Sequence, residues 1–254
     1  MAPSRAPVEL DPPVAVPALA DGRRSRVEMA GQQRFYMIIG ALAVVGAGWV
    51  AYKVLGAPSL PVRAAVGARD TTGFQGYALG QADAPVEIVE YADFQCPSCA
   101  GFDQVQFPDL KRRLIDTGKA RFVHRDYPLD DIHPHARLAA HAAACADDQG
   151  KFWDVKDGLY RRQAEWSVSN TRKAYGIFGE LVAGAGADRG AWESCMESGR
   201  HAARIQSSSE EGSRLGVRST PTFLIGGQLY PGGASDEFVR VVDSLIAAGA
   251  AAVP

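Results

Sequence analysis

Glu90-Tyr-Ala-Asp-Phe-Gln-Cys96-Pro-Ser-Cys99 closes one apolar run and opens a helix-capable one. Upstream, Val86 and Ile88 alternate with Val89 and Tyr91, the pattern of a buried strand. Downstream, a helix is expected from the second cysteine toward Gln106. A Cys-x-x-Cys set between strand and helix points to thiol–disulfide chemistry. The reason is electrostatic: a cysteine at a helix start faces unpaired N–H groups and the positive end of the dipole, which favour its thiolate. A second thiol one turn on can resolve a mixed disulfide within the same chain. Half a zinc site and a purely structural bridge are the competing readings. The first lacks a second Cys or His pair at ligand spacing. A c-type haem site is excluded because Ala100 stands where that motif needs His.

Around this stretch the chain reads in order. Its 254 residues allow one large or two small domains, and a net charge of −2 gives no case for nucleic acid. Four cysteines are too few for a disulfide scaffold, yet an even number permits two bridges, Cys96–Cys99 and Cys145–Cys195. Residues 1–34 are Pro- and Ala-rich without periodicity and are expected to be a disordered cytoplasmic tail. Residues 35–55 are expected to form a transmembrane helix. Phe35 to Tyr52 is uncharged, just long enough for a bilayer core of about 30 Å, with aromatic residues at both ends. Arg23, Arg24, Arg26 and Arg34 precede it, while only Lys53 and Arg63 follow closely. The positive-inside rule then keeps the N-terminus in the cytoplasm and sends the rest outward. A cleaved signal peptide competes with this anchor, although its charged and apolar regions would both be unusually long. Either reading puts the cysteines in an oxidising compartment.

Residues 56–75 read as a linker, and a folded domain is expected over 76–250. Pro108 should kink or restart the helix after Cys99. Leu110, Leu114 and Ile115 continue its apolar stripe, and Gly118 ends it. Ala120–Tyr127 is a second strand. Helices are then expected at His135–Gln149, around Phe152 to Leu159, after a cap at Asn170, after a cap at Asp188, and over Ala202–Leu215. Thr222–Ile225 and Gln228–Tyr230 flank Gly226-Gly227 as a hairpin, and Asp236–Ala248 is a closing amphipathic helix. The order is βα, β, helices, ββα: an α/β thioredoxin fold with a helical subdomain inserted at about 133–215, preceded by a single transmembrane helix.

The chain resembles the DsbA-like branch of the thioredoxin superfamily from about residue 76 to about 248. The resemblance rests on four stretches: Ala84 to Cys99, His124-Arg-Asp-Tyr-Pro-Leu129, Cys145-Ala-Asp-Asp-Gln-Gly-Lys-Phe-Trp153, and Gly216-Val-Arg-Ser-Thr-Pro-Thr-Phe-Leu-Ile-Gly226. It implies that Cys96 is the exposed nucleophile and Cys99 the buried resolving thiol. Pro221 is implied to be a cis-proline facing them. Thr220 is implied to present backbone groups to the substrate, with Pro97 and Ser98 also on the substrate side. Glu90 matches a buried acid beneath the active site, able to exchange a proton with Cys99; its strand face, shared with Val86 and Ile88, agrees. Related domains carry a second bridge in the insert, which implies Cys145–Cys195; free buried thiols and a redox relay are its rivals.

Two departures stand out. Ser98 occupies a position where strongly oxidising members carry His and supplies no positive charge, so a less depressed Cys96 pKa and a less oxidising pair are expected. Ser219 replaces a Gly and should be tolerated. His133, His135 and His141 cluster, and His141 precedes Cys145 by one turn, a spacing that could ligate a metal. Caps and surface groups are the preferred reading, with no metal and no cofactor expected. Trp153 and Trp166 are expected in packing.

The function these features imply is membrane-anchored disulfide exchange with secreted or membrane proteins in a bacterial cell envelope, most simply as an oxidase. Reduced or unfolded envelope proteins would be substrates, a DsbB- or VKOR-type membrane enzyme would reoxidise the pair, and a monomer is expected. A reductase or isomerase of the same fold, such as one serving cytochrome maturation, and a redox-inactive peptide-binding module remain the alternatives.

Overall fold

The computed structural model describes residues 37, 39–42 and 73–249. The chain divides into two units, Met1–Ser59 and Leu60–Pro254. In the first, the described residues are helical and exposed. Among the described residues no helix is long and apolar enough to cross a membrane. Most of the transmembrane helix expected over 35–55 lies outside them, as do the tail expected over 1–34 and most of the expected linker.

The second unit is built on a five-stranded mixed sheet in the order β1-β3-β2-β4-β5. Its central strand is β2 (Val86–Ala92), which runs parallel to β3 (Ala120–Asp126) and antiparallel to β4 (Thr222–Ile225). The parallel pair requires a crossover, and the helical segment after Cys96 supplies it. That segment begins as α1 (Pro97–Gly101), widens into π-helical turns at Phe102–Gln106, tightens into α2 (Phe107–Leu110), and widens again at Lys111–Ile115. The expected kink at Pro108 therefore takes the form of flanking π turns. Pro108 has no N–H, and its ring crowds the preceding turn; a locally widened helix accommodates both.

The edge strand β1 (Tyr77–Leu79) is not legible in the sequence. Three residues are too few to show periodicity. It exists through antiparallel pairing with β3, Tyr77 opposite His124. Gly76 permits that approach: with φ of 110°, a Cβ there would lie 2.8 Å from the His124 carbonyl oxygen. The β4–β5 (Gln228–Pro231) hairpin forms as expected around Gly226-Gly227, both at positive φ.

Between β3 and β4 lie α3 (Ala136–Asp147), α4 (Phe152–Arg161), α5 (Gln163–Trp166), α6 (Thr171–Gly184), α7 (Arg189–Ser198) and α8 (Ala202–Leu215). The side chains of Asn170 and Asp188 cap α6 and α7, accepting from Lys173 N at 3.0 Å and Ala191 N at 2.6 Å. α5 is a further element that was not legible: a single turn whose Trp166 is fully buried. α9 (Ser235–Ala247) closes the domain.

One sheet face packs Val86, Ile88 and Phe122 against Leu110, Leu114, Phe238 and Val242. Each such buried side chain contributes about 1.5–3 kcal/mol. The other face carries Tyr91 and Tyr127, which press against Gly212 of α8 and pack with Val217. A third apolar cluster joins the insert to the redox turn: Phe94, Cys99 and Ala100 pack with Leu159, Tyr160, Trp166 and Phe178. The insert is thus the wall behind the two cysteines.

Candidate active site

Cys96 stands at the N-cap of α1 with extended backbone, and Pro97 follows at the first helical position. Proline suits that place because its missing N–H would be unpaired there anyway. Pro97 and Ser98 are exposed, while Cys99 is fully buried. Both cysteines are free thiols, and Cys96, expected to be exposed, is itself buried at 7% relative exposure, because the insert and the Thr220–Pro221 loop close over it.

Polar struts hold the turn from behind. Asp93 is buried; one carboxylate oxygen accepts from Gln95 N at 2.6 Å, and the other from Leu129 N at 2.8 Å, with His133 Nδ1 also at 2.8 Å. The Gln95 amide donates to Ser167 O at 2.9 Å and accepts from His135 N at 2.7 Å. The Gln163 amide donates to the carbonyls of Phe94 and Cys96. These bonds satisfy backbone groups that a tight buried turn would otherwise leave unpaired.

Opposite the cysteines, the Thr220–Pro221 peptide bond is cis. The Cys96 thiol donates to Thr220 O at 3.4 Å. The Cys96 pKa is pulled down to about 5, first by a hydrogen bond from Cys99, against the opposing effect of burial, then by Thr220 and by the backbone N–H groups of Cys99 and Ser98. Thr220 acts in two senses. Its carbonyl can accept only from the protonated thiol, whereas its hydroxyl, buried with no other hydrogen-bond partner among the described residues, can donate to the thiolate. The sequence led us to expect that Ser98 would leave the thiol less acidic. Ser98 adds no positive charge, and the groups that lower the Cys96 pKa here are neutral donors. Cys99 moves the opposite way. Burial pushes its thiol well above the ordinary range, and the neighbouring Cys96 and Glu90 add to this.

Glu90 lies beneath the pair, buried on the face of β2 shared with Val86 and Ile88. It has a partner that sequence reading missed. Register places Glu90 beside His124 on β3, and Oε2 is 3.0 Å from His124 Nδ1. Asp126 Oδ1 lies 3.8 Å from His124 Nε2, too long for a hydrogen bond but close for a charge. Burial disfavours the charged imidazole, yet the two carboxylates outweigh it and raise the His124 pKa. Glu90 Oε1 has no hydrogen-bond partner among the described residues. Tyr160 stacks on Phe94 with centroids 5.2 Å apart, and its buried hydroxyl is held protonated by burial and by the charges of Cys99 and Glu90.

A buried ion pair was also missed. Asp103 follows α1 and bonds to Lys156 of α4, both nearly inaccessible. The Lys156 ammonium sits 4.8 Å from the Phe107 ring centroid, 5.1 Å from Tyr160 and 5.7 Å from Trp153. Burial raises the Asp103 pKa despite that partner. No motif announces this pair, because its members are 53 residues apart.

The remaining candidates lie in the insert. Cys145 and Cys195 are disulfide-bonded, with Cα atoms 5.7 Å apart, joining α3 to α7. The three clustered histidines separate. His133 binds Asp93, and His135 occupies the N-cap of α3 but gives its side chain to Ser169 O. His141 is neither cap nor surface group: it is fully buried beside the disulfide, where burial, and secondarily His201, pushes its pKa down to about 4. Trp166 is core, and Trp153 is partly buried against the sheet-side cluster.

The family model described as thioredoxin matches residues 73–244. A Salinispora tropica protein named Na(+)/H(+) antiporter NhaA 3 is 30% identical over 204 residues, which are 75% of this chain and 30% of that protein. This chain spans less than a third of the length of the first curated relatives that it matches. Disulfide bond formation protein D of Bacillus subtilis is 25% identical over 152 residues, 58% of this chain and 66% of that protein. Wolbachia pipientis alpha-DsbA1 superposes with a TM-score of 0.60 at 23% identity, over 67% of this chain and 90% of that one. Its likeness is one of fold. The chain belongs to the thioredoxin family, in the DsbA-like form of its fold.

Proposed function

We propose that the chain is a thiol:disulfide oxidoreductase that exchanges disulfides with protein substrates through Cys96 and Cys99. The observation that carries this reading is the asymmetry of the pair. One thiol sits at a helix start beside Thr220–Pro221 with its pKa near 5; the other is buried with its pKa raised. The lower-pKa thiol is the attacking or leaving group, and the buried one resolves. The names of the Bacillus relatives agree.

In the oxidative direction a substrate thiolate attacks the Cys96 sulfur of a Cys96–Cys99 disulfide. A mixed disulfide forms, and Cys99 leaves as a thiolate. A second substrate thiolate attacks the substrate sulfur of the mixed disulfide, and Cys96 leaves. The substrate is oxidised and the pair reduced by two electrons. Glu90, with His124 behind it, is placed to give the Cys99 thiolate its proton and to take it back. Thr220 O and Pro221 border the position that the substrate sulfur must occupy. Ile132 and Val168 are strongly exposed beside His133 and Ser167, which hold the redox turn through Asp93 and Gln95, so they offer apolar contacts to an unfolded substrate.

A thiol that is stable as thiolate stabilises the reduced pair and makes the disulfide oxidising. This supports an oxidase in the cell envelope over a reductase. The anchor over residues 35–55, the outward-facing domain and reoxidation by a DsbB- or VKOR-type membrane enzyme belong to the same proposal. They rest on the apolar run and its flanking arginines. Equilibration of the purified domain with reduced and oxidised glutathione tests the direction. A potential well above that of thioredoxin, about −270 mV, is expected; one at or below it would favour the reductase.

A further inference from the structure

We infer that the Cys145–Cys195 bridge is the oxidised form of a redox-gated soft-metal site. His141 and Cys145 are four residues apart on one face of α3, and Cys195 comes from α7. The donor atoms of His141, Cys145 and Cys195 lie within 4.8 Å of one another, and so do those of Asp148, Cys195 and His201. The two groups share Cys195, and the His141 and His201 rings are 5.9 Å apart.

His141 points to a ligand independently of that clustering. It is fully buried, its polar contact is with the backbone of Cys195, and no side chain pairs with either ring nitrogen among the described residues. His201, in contrast, is already oriented: its Nε2 lies 2.9 Å from Asp148 Oδ2. A carboxylate behind a ligating imidazole is the usual outer support of a metal site. Here it can serve once the ring turns its other nitrogen inward.

In the bridged state the two sulfurs are bonded to each other and are not metal ligands. A dithiol reductant changes that. It transfers two electrons and two protons, becomes a cyclic disulfide, and leaves Cys145 and Cys195 as thiols. A divalent ion then displaces both thiol protons to solvent and binds two thiolates and two imidazoles. That donor set is one of the standard tetrahedral zinc sets, in which donors at about 2.0–2.3 Å from the ion lie roughly 3.5 Å apart. Two thiolates neutralise the dication, so the nearby Arg200 and Arg204, paired with Asp148 and Asp147, need not move.

The test uses the full chain with Cys96→Ser and Cys99→Ser, so the redox pair cannot bind metal and failure of the proposed activity has no bearing on the result. Co²⁺ is the probe. After reduction, one Co²⁺ per chain is expected, with a thiolate-to-metal charge-transfer band; the oxidised chain should show none. Asp148→Asn should weaken binding about 10–100-fold, and His141→Ala by more. If the reduced chain loses its tertiary structure without metal, Zn²⁺ should restore it, because ligand binding then supplies folding free energy; His141→Ala should abolish that rescue. No charge-transfer band and no rescue, or equal binding by the His141→Ala chain, would overturn the inference.

Discussion

Cys96 and Cys99 carry identical thiols a helical turn apart, yet their surroundings shift the two pKa values in opposite directions. Cys96 faces donors; Cys99 faces a carboxylate and apolar walls. Covalent trapping follows. Cys99→Ser should accumulate mixed disulfides with reduced proteins on non-reducing gels, because the intermediate has no internal exit, and Cys96→Ser should accumulate few. Comparable trapping by both would reverse the assignment. The pH dependence has a definite sign. The folded Cys96 pKa lies below the ordinary thiol value of about 8.5, so the reduced protein gains stability above that value and loses it as pH falls through about 5. The oxidised protein has no such group. The stability advantage of the reduced form should therefore shrink between about pH 8.5 and 5, measured by denaturation of both forms. Alkylation of Cys96 should slow with a midpoint near 5; a midpoint near 8 would remove the basis for an oxidising pair. Below them, Glu90→Gln removes the carboxylate placed to take the Cys99 proton, a loss expected to outweigh the lower Cys99 pKa that deleting its charge brings. Resolution of a preformed mixed disulfide should slow about 10²-fold, the lower bound for a positioned acid–base group, while the Cys96 alkylation midpoint stays near its original value. Stopped-flow fluorescence separates the two readouts.

At the scale of elements, the insert is fastened to the thioredoxin core by devices of unequal worth. The Cys145–Cys195 bridge spans a sequence separation of 50. In the chain-entropy treatment such a loop is worth about 4 kcal/mol. Cys145→Ser with Cys195→Ser should lower stability by that order while sparing most exchange activity. Loss of turnover in a chain that stays folded would instead assign the bridge to electron relay. The Asp103–Lys156 pair ties the helix after the redox turn to α4. Removing one partner leaves the other charge buried, which costs about 3–5 kcal/mol, whereas replacing both by apolar residues of similar volume is often neutral. Lys156→Met should therefore destabilise far more than Lys156→Met with Asp103→Leu. Urea denaturation of the three chains provides the comparison, and equal losses would mean that packing, not charge, is what Lys156 contributes.

For the whole molecule, the proposed place of work depends on the segment before the domain. The uncharged run from Phe35 to Tyr52, with arginines on its N-terminal side, predicts an N-in, C-out single-pass protein. Protease added outside spheroplasts should digest the domain and leave a short anchor. Release of the full-length chain in soluble form by osmotic shock would end that reading, and release of a shortened chain would point to a cleaved leader. The arrangement has a kinetic logic under the same proposal: a tether confines the domain to the membrane surface, where emerging substrates and a membrane oxidase meet it at raised effective concentration.

Local chemistry in the sequence was enough for the central strand, the redox turn, the hairpin and most helices of the insert. Each of these is announced by residues near one another: alternation in Val86–Tyr91, caps at Asn170 and Asp188, a stop at Gly216, a glycine pair before Gln228. The cysteine pair needed only its spacing and its neighbours. What the sequence could not show was anything created by a meeting of distant segments. β1 exists because β3 offers it a partner, not because three residues prefer to be extended. His124 becomes the partner of Glu90 through strand register, and Lys156 becomes the partner of Asp103 through packing of the insert. The donors that lower the Cys96 pKa belong to the same class. Residue 98 can be read from the chain, but the Cys99 thiol and Thr220 reach Cys96 only after folding. Burial of His141 is a further case, because a histidine on a helix carries no mark of whether that face will meet solvent or a disulfide. Propensity, capping and periodicity act over a few residues and are written in order along the chain. Protonation, ion pairing and desolvation depend on distances in space, and the fold alone sets those.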